Sequence, residues 1–426
     1  MVGALIGISL LVFLLVIGVP MIAALTGAVA IGLWLGGQWA LVMPQSILNG
    51  LGDYSLLSLP LFVLAGVLMN VGGLSSRLFD FAHSLVGWMR GGLAQVDVVT
   101  SIFLGGMFGS STADIAGTGS ITIPAMKKEG YSPGFAAATC AASSGVGPMI
   151  PPSSPMILYS AVTGTSLGAL FMAGIIPGIL MGLVFMGVVF VLARTRNFPR
   201  HGDLSWSEIW TTFKAAFFSI GMPLIIVGGT TIGVFTPTEG GAFGVVYALL
   251  VSVFVYRSIG PREIYRAGLA SVQLSGELLL MVGLSGALGV SLASAHVPEA
   301  LATFVDVLAV GDSMFMRLAA LMVLAIIAGM FIDPLIPVLI PVIMPTLLAY
   351  QIDLVHFGVL MVMAVVIGQL HPPIGIALII SGRIANVDQI RVFKACIPFF
   401  VAIILFTILL MAVPEISTWL PNYMKD

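Results

Sequence analysis

Two stretches of this chain have residue types and spacing suited to chemistry, and they match each other. Asp114 is followed by Pro124, Gly147, Pro151 and Pro152; Asp333 is followed by Pro345, Gly368, Pro372 and Pro373. Pro124 and Pro151 are 27 residues apart, as are Pro345 and Pro372, and each proline pair begins four residues after its glycine. From each aspartate to its proline pair is 37 residues in one copy and 39 in the other. Proline lacks an amide donor and clashes with the preceding turn, so neither pair fits a continuous helix. In hydrocarbon the freed carbonyls need a partner, either protein or a bound ion. A duplicated set of such breaks points to the binding elements of a secondary transporter.

The chemistry expected there is capture of a hard cation and an organic anion. Ser110, Ser111 and Thr112 supply hydroxyl and carbonyl oxygens of the kind sodium takes. Asp114 lies 13 residues before Lys127, roughly 20 Å along a helix. A carboxylate at that depth calls for a cation or another partner; closing the next helix half as a cap is the alternative. Asp333 is read the same way, with Pro334 at the following helical start. After the first break Ser154 is expected to cap a half-helix with Pro155 at its first position, aiming a positive end at a carboxylate. The substrate candidates are Ser111, Thr112, Ser153, Ser154, His371 and Pro372. His371 reads equally well as a hydrogen-bonded packing residue.

These residues must be carried by membrane helices. The chain has 426 residues, 59% hydrophobic and 8% charged, too little charge to keep a soluble surface wet. Apolar spans are expected near 3–36, 55–72, 93–126, 134–162, 167–193, 216–233, 241–256, 268–293, 298–310, 314–349, 355–381 and 395–413. The spans starting at 93, 134, 314 and 355 are interrupted. The run 3–36 would be roughly 50 Å as one helix, against a bilayer core of about 30 Å. It must tilt, kink at Gly18–Pro20 or form two spans. It lacks the basic start and short apolar run of a signal peptide. A net charge of −2 gives a nucleic-acid partner no support. Cys140 and Cys396 lie in apolar runs and read as packing residues. There is no Gly-Lys-Ser/Thr phosphate loop, HExxH or GxSxG, so neither an enzyme nor a self-contained ATP-driven pump is expected.

Basic residues set an orientation. Arg77, Arg90, Lys127, Lys128, Arg194, Arg196, Arg200, Lys214, Arg257, Arg262, Arg266, Arg383, Arg391 and Lys394 all fit on the cytoplasmic side. The segment from Arg90 to Lys127 then enters from the cytoplasm, and the segment from Asp312 to Asp353 enters from outside. The two copies are inverted, and their oxygen-lined pockets are expected to meet at mid-bilayer with Asp114 and Asp333 close together. The loop 194–214, with Pro199, Gly202, Trp206, Trp210 and Phe213, reads as a linker and a surface helix. Residues 74–90 read as a second surface helix. Glu239 is expected to cap a helix. The expected divisions are 1–90 (scaffold spans and interfacial helix), 91–193 (first transport element), 194–310 (linker and scaffold spans), 311–394 (second transport element) and 395–426 (last span).

Several segments, taken in order, resemble the large membrane subunit of tripartite ATP-independent periplasmic (TRAP) transporters. They are Pro60–Gly66, Gly109–Asp114, Ile123–Met126, Ile150–Ser153, Leu170–Gly174, Phe235–Glu239, Gly329–Asp333 and Pro372–Gly375. The resemblance covers nearly the whole chain. It implies an all-α polytopic protein of a bacterial inner membrane, with inverted repeats, two re-entrant hairpins, two broken helices and elevator-type motion. It further implies sodium-coupled import of small organic acids, such as C4-dicarboxylates, sialic acid or sugar acids. Two partners are implied, a small four-helix membrane subunit and a periplasmic substrate-binding protein. Carried onto this chain, the sodium ligands are Ser110, Ser111, Gly145 and the Val146–Pro151 backbone, including Pro148, joined by Gly329, Asp333, Gly368 and His371. Asp114 joins them on the argument from depth. The family usually has Thr where this chain has His371, so its second sodium site is expected to differ. A stand-alone carboxylate carrier needing no binding protein is the competing reading.

Overall fold

The computed structural model describes residues 2–37, 41–196, 198, 200, 203–308 and 313–424. Pro199 and Gly202 of the expected linker, Asp312, and the end of the 298–310 span lie outside the described residues. Among the described residues the regular structure is all helical. Six helical stretches among the described residues are long and apolar enough to cross a membrane, and seven shorter apolar helices accompany them.

The first apolar run is two helices, α1 (Val2–Val16) and α2 (Met21–Leu35). A Cβ on Gly7 would lie 3.0 Å from the Ala28 carbonyl and one on Gly3 would lie 3.0 Å from that of Gly32, so the helices run antiparallel in close contact. Gly18, at φ +86, makes the reversal where an L side chain would be strained. Each arm is about 22 Å long, too short to cross the bilayer core upright. Of the three alternatives, tilt, kink or two spans, the run takes a break at Gly18–Pro20 and folds as a helical hairpin. It packs on later helices through Leu25, Leu284 and Leu288.

The order continues with α3 (Val42–Leu51), α4 (Ser58–Val71), α5 (Leu74–Val86) and α6 (Gly92–Phe108). A turn leads into α7 (Ser111–Asp114), a π-helical turn over Ile115–Gly119, and α8 (Ser120–Lys128). Then come α9 (Pro133–Ser144), α10 (Ser154–Thr163) and α11 (Leu167–Thr195). The second half contains α12 (Trp206–Thr231), α13 (Pro237–Leu250), α14 (Pro261–Ser294) and α15 (Val297–Leu308). It ends with α16 (Met314–Gly329), α17 (Leu335–Ala349), α18 (Leu354–Gln369), α19 (Ile376–Ala385), α20 (Gln389–Ala412) and α21 (Glu415–Tyr423).

Two pieces differ from expectation. The surface helix expected near Trp206–Lys214 is the start of α12, which runs unbroken to Thr231. Nothing between 206 and 231 stops a helix, and Pro223 is accommodated inside it. The 298–310 span is α15, twelve residues and two-faced, with Pro298 and Glu299 in its first turn. Its length suits a bracing helix better than a span. A two-faced helix does form within 74–90, as α5, burying Leu74, Leu78 and Phe81. Glu239 caps α13 as expected: its carboxylate accepts from the Thr236 amide at 2.7 Å, while the Thr236 hydroxyl accepts from the Glu239 amide.

The core centres on α9 and α18. Every residue from Phe135 to Ser144 is buried, and so is every residue from His356 to Gly368. Helices apolar on all sides belong in the middle of a bundle. α6, α8, α19 and α20 pack on α9, while α11, α16 and α20 pack on α18. These two helices end at the two proline breaks.

Candidate functional site

Both expected breaks are present. α9 stops at Ser144, the chain passes through a short 3₁₀ turn at Gly147–Met149, and α10 begins at Ser154. α18 stops at Gln369, and α19 begins at Ile376. Both proline pairs have a cis peptide bond, as does Asp333–Pro334. Ser153, rather than Ser154, is the N-cap of α10. Its hydroxyl accepts from the Met156 amide at 3.3 Å and donates to the Pro148 carbonyl. Proline at 155 moves to the second helical position, which shifts the cap one residue earlier.

Each hairpin turn presses against the break of its own repeat. In the first, Gly109 turns the chain at φ +54, and the Ser154 amide donates to its carbonyl at 3.3 Å. A Cβ on Gly109 would lie 2.2 Å from the Pro152 carbonyl, so only glycine fits. Behind the turn, Gly105 and Gly147 meet backbone to backbone. In the second, Gly329 and Gly368 do the same, and the turn Met330–Pro334 carries Asp333. The Gln369 amide donates to the Asp333 carboxylate at 3.4 Å.

Between the two halves lies a cavity of about 440 Å³. The first hairpin gives it Gly109, Ser110, Ser111, Thr112 and Ala113, and the first break gives it Pro148, Ser154 and Pro155. The second hairpin adds Asp333–Ile336, α18 adds Val365 and Gln369, and α4 and α14 close the wall with Val63, Gly66, Val67, Leu274, Glu277, Leu278 and Met281. The N-termini of α10 and α17 face it. A smaller gap of about 10 Å³, enough for one water-sized occupant, is lined by Gly329, Asp333, Gly368, Gln369 and Gly375, among others.

Several sequence candidates therefore gather: Ser110, Ser111, Thr112, Ser154, Pro148 and Asp333 at the cavity, with Gly329 and Gly368 at the gap. The buried Ser111 hydroxyl and the Gln369 side-chain oxygen have no hydrogen-bond partner. Unpaired oxygens beside a carboxylate suit a hard cation. Gly145 packs under Val366, and Val146 and Pro151 lie in the break behind the cavity.

Asp114 is not among the cavity-lining groups and does not meet Asp333 there. It lies beyond the turn, in the second arm, and its carboxylate accepts from the Thr118 hydroxyl at 3.0 Å. Close by is Asp97, also buried, which accepts from Ser143 at 2.6 Å. The hydroxyls of Ser101 and Thr122 lie close to Asp114 and Asp97 respectively. Asp114 stands at the start of the π-helical turn 115–119, and the extra residue of such a turn rotates what precedes it. Asp333, one residue before the Pro334 cap of α17, lies on the cavity. His371 and Pro372 are likewise absent from the cavity lining. The His371 ring packs on Phe393 and Phe400 and bonds through Nδ1 to the Pro372 carbonyl. Sequence reasoning missed Gln369, two residues earlier, and Glu277. A polar residue one turn before a proline pair, and a lone acid in an apolar helix, were the available signals.

Paired hairpins and two broken helices that meet at a largely apolar cavity with a few convergent polar groups are the architecture of a secondary-active membrane transporter. Residues 8–416 match the family described as "Tripartite ATP-independent periplasmic transporter, DctM component". The chain is 33% identical over 442 residues to the C4-dicarboxylate TRAP transporter large permease protein DctM of Vibrio cholerae, covering 97% of both. It is 33% identical over 422 residues to the sialic acid TRAP transporter permease protein SiaT of Haemophilus influenzae, covering 97% of this chain and 68% of that one. Its fold matches the crystal structure of the Alcanivorax borkumensis YdaH transporter with a TM-score of 0.59 at 16% identity, over 88% of each chain. This chain belongs to the TRAP transporter large permeases, multi-pass proteins of the bacterial inner membrane.

Proposed function

We propose that this permease imports a small organic acid together with sodium. The observation that carries the reading is the meeting of Ser111, Asp333 and Gln369 around one cavity, two of them with unpaired oxygens. Sodium would be cargo here, held in one half by Ser110, Ser111 and carbonyls of the Gly145–Pro151 break. In the other half it would be held by Asp333, the Gly329 and Gly368 backbone and Gln369, which takes the part expected of His371. Sodium on these oxygens neutralises the cavity wall, so the anion binds well only after it. Coupling is that free-energy difference.

The substrate's carboxylate is assigned to the N-termini of α10 and α17 and to the hydroxyls of Ser111, Thr112 and Ser154. The relatives named for C4-dicarboxylates and sialic acid support an acid as cargo. Elevator-type motion would carry the two hairpins and broken helices past α4 and α14, along the divisions expected from sequence. Membership in the family supports two partners, a small four-helix membrane subunit and a periplasmic substrate-binding protein.

The test is uptake by the three proteins reconstituted in liposomes with the binding protein's own ligand. Uptake is expected to vanish without a sodium gradient. Undiminished uptake in sodium-free buffer under a proton gradient refutes sodium as the coupling ion. Full uptake without the soluble protein favours a stand-alone carrier.

A further inference from the structure

We propose that the cavity takes a zwitterionic acid, whose carboxylate sits at the hairpin turns and whose protonated nitrogen pairs with Glu277. This rests on the transporter reading and narrows its substrate class.

Glu277 lies at the middle of the 34-residue α14, roughly 24 Å from either end. At that depth an ionisable side chain marks a functional position and needs a counter-charge. It sits on the face that also carries Leu274, Leu278 and Met281 into the cavity. The other α14 residues that line the cavity are all apolar, so Glu277 is the one charged group this helix gives it. Glu277 is exposed and forms no ion pair with another described residue. No Lys, Arg or His lines the cavity. The cavity wall offers no cation for Glu277, and we assign the ligand as its partner.

The features that welcome an anion are on other walls: the N-termini of α10 and α17 and the hydroxyls at 110–112. Glu277 and these features line one cavity of about 440 Å³ with no basic side chain among its walls. The second carboxylate of a dianion would therefore meet Glu277 at close range. An ammonium group on the same carbon skeleton would meet it as a partner. Sodium accounts for Asp333 but leaves Glu277 unbalanced, and a zwitterion completes the charge.

The experiment uses the full chain, purified in lipid nanodiscs, and reads melting temperature in sodium buffer. The probes are β-alanine, 4-aminobutyrate and glycine betaine, each against the dicarboxylate or monocarboxylate of matched length. At least one ammonium acid is expected to raise the melting temperature where its counterpart does not. Glu277→Gln is expected to weaken that response at least ten-fold in half-saturating concentration. Dicarboxylates stabilising as well as the ammonium acids, an unchanged response in E277Q, or silence across the panel each overturn the proposal. The sodium-induced shift without probe shows that E277Q is folded. If that shift is missing in both proteins while the ammonium acids still act, sodium coupling fails and this inference stands.

Discussion

Gly329 and Gly368 stand backbone against backbone: a Cβ on Gly368 would lie 2.4 Å from the Gly329 carbonyl oxygen. Gly105 stands in a similar relation to Gly147, with a Cβ 3.1 Å from the Gly147 Cα. In each repeat the first arm of the hairpin thus locks onto the helix that breaks at the prolines, just where the carbonyls are freed. The contact fixes the distance between turn and break, and so the size of anything held between them.

Gly368→Ala must push the two backbones apart. The expected cost is about 1–3 kcal/mol, the usual range for overpacking. A thermal melt of the purified protein should show it, together with a loss of sodium-dependent uptake larger than the stability loss accounts for. Gly187→Ala is the control, since nothing lies within 4 Å of the position its Cβ would take.

Asp333→Asn removes the charge at the second hairpin turn, and Gln369→Leu removes the unpaired amide oxygen beside it. Each is expected to raise the half-saturating sodium concentration at least ten-fold, or about 1.4 kcal/mol, in a sodium titration of melting temperature. Equal sodium response in wild type and both variants would remove the second hairpin from the proposed ion site.

Ser153→Ala loses the cap of α10 and the bond to the Pro148 carbonyl at once. Loss of an N-cap costs about 0.5–2 kcal/mol. Ser153→Thr should recover most of it. Ser154→Ala, at the first helical position, should leave stability nearly unchanged. The comparison of melting temperatures separates the observed cap from the one expected by sequence.

His371→Phe keeps a ring between Phe393 and Phe400. Its sodium titration should match wild type within about two-fold, because the ring lies outside the cavity. A shift of ten-fold or more would return His371 to the site.

The helices, their breaks and the family were legible in the chain. The 27-residue interval that recurs from Pro124 and Pro345 is local information, because proline's missing donor acts on its own turn wherever the chain folds. The length of the first apolar run left tilt, kink or two spans open, and the structure breaks it at Gly18. What a side chain faces is not local. Asp114 and Asp333 have the same type and setting in sequence, yet one is turned beside Asp97 and the other opens onto the cavity. A π-helical turn follows the first, and none follows the second. His371 and Gln369 are two residues apart, and the irregular turn between α18 and α19 puts Gln369, not His371, on the small gap beside Gly329 and Gly368. Glu277 acquires its setting from the hairpins that pack across from it, dozens of residues away in sequence. Sequence fixed where the backbone must break, because that is covalent and short-range. Only tertiary packing decided which oxygens share a space, because that depends on rotations of one helix against another.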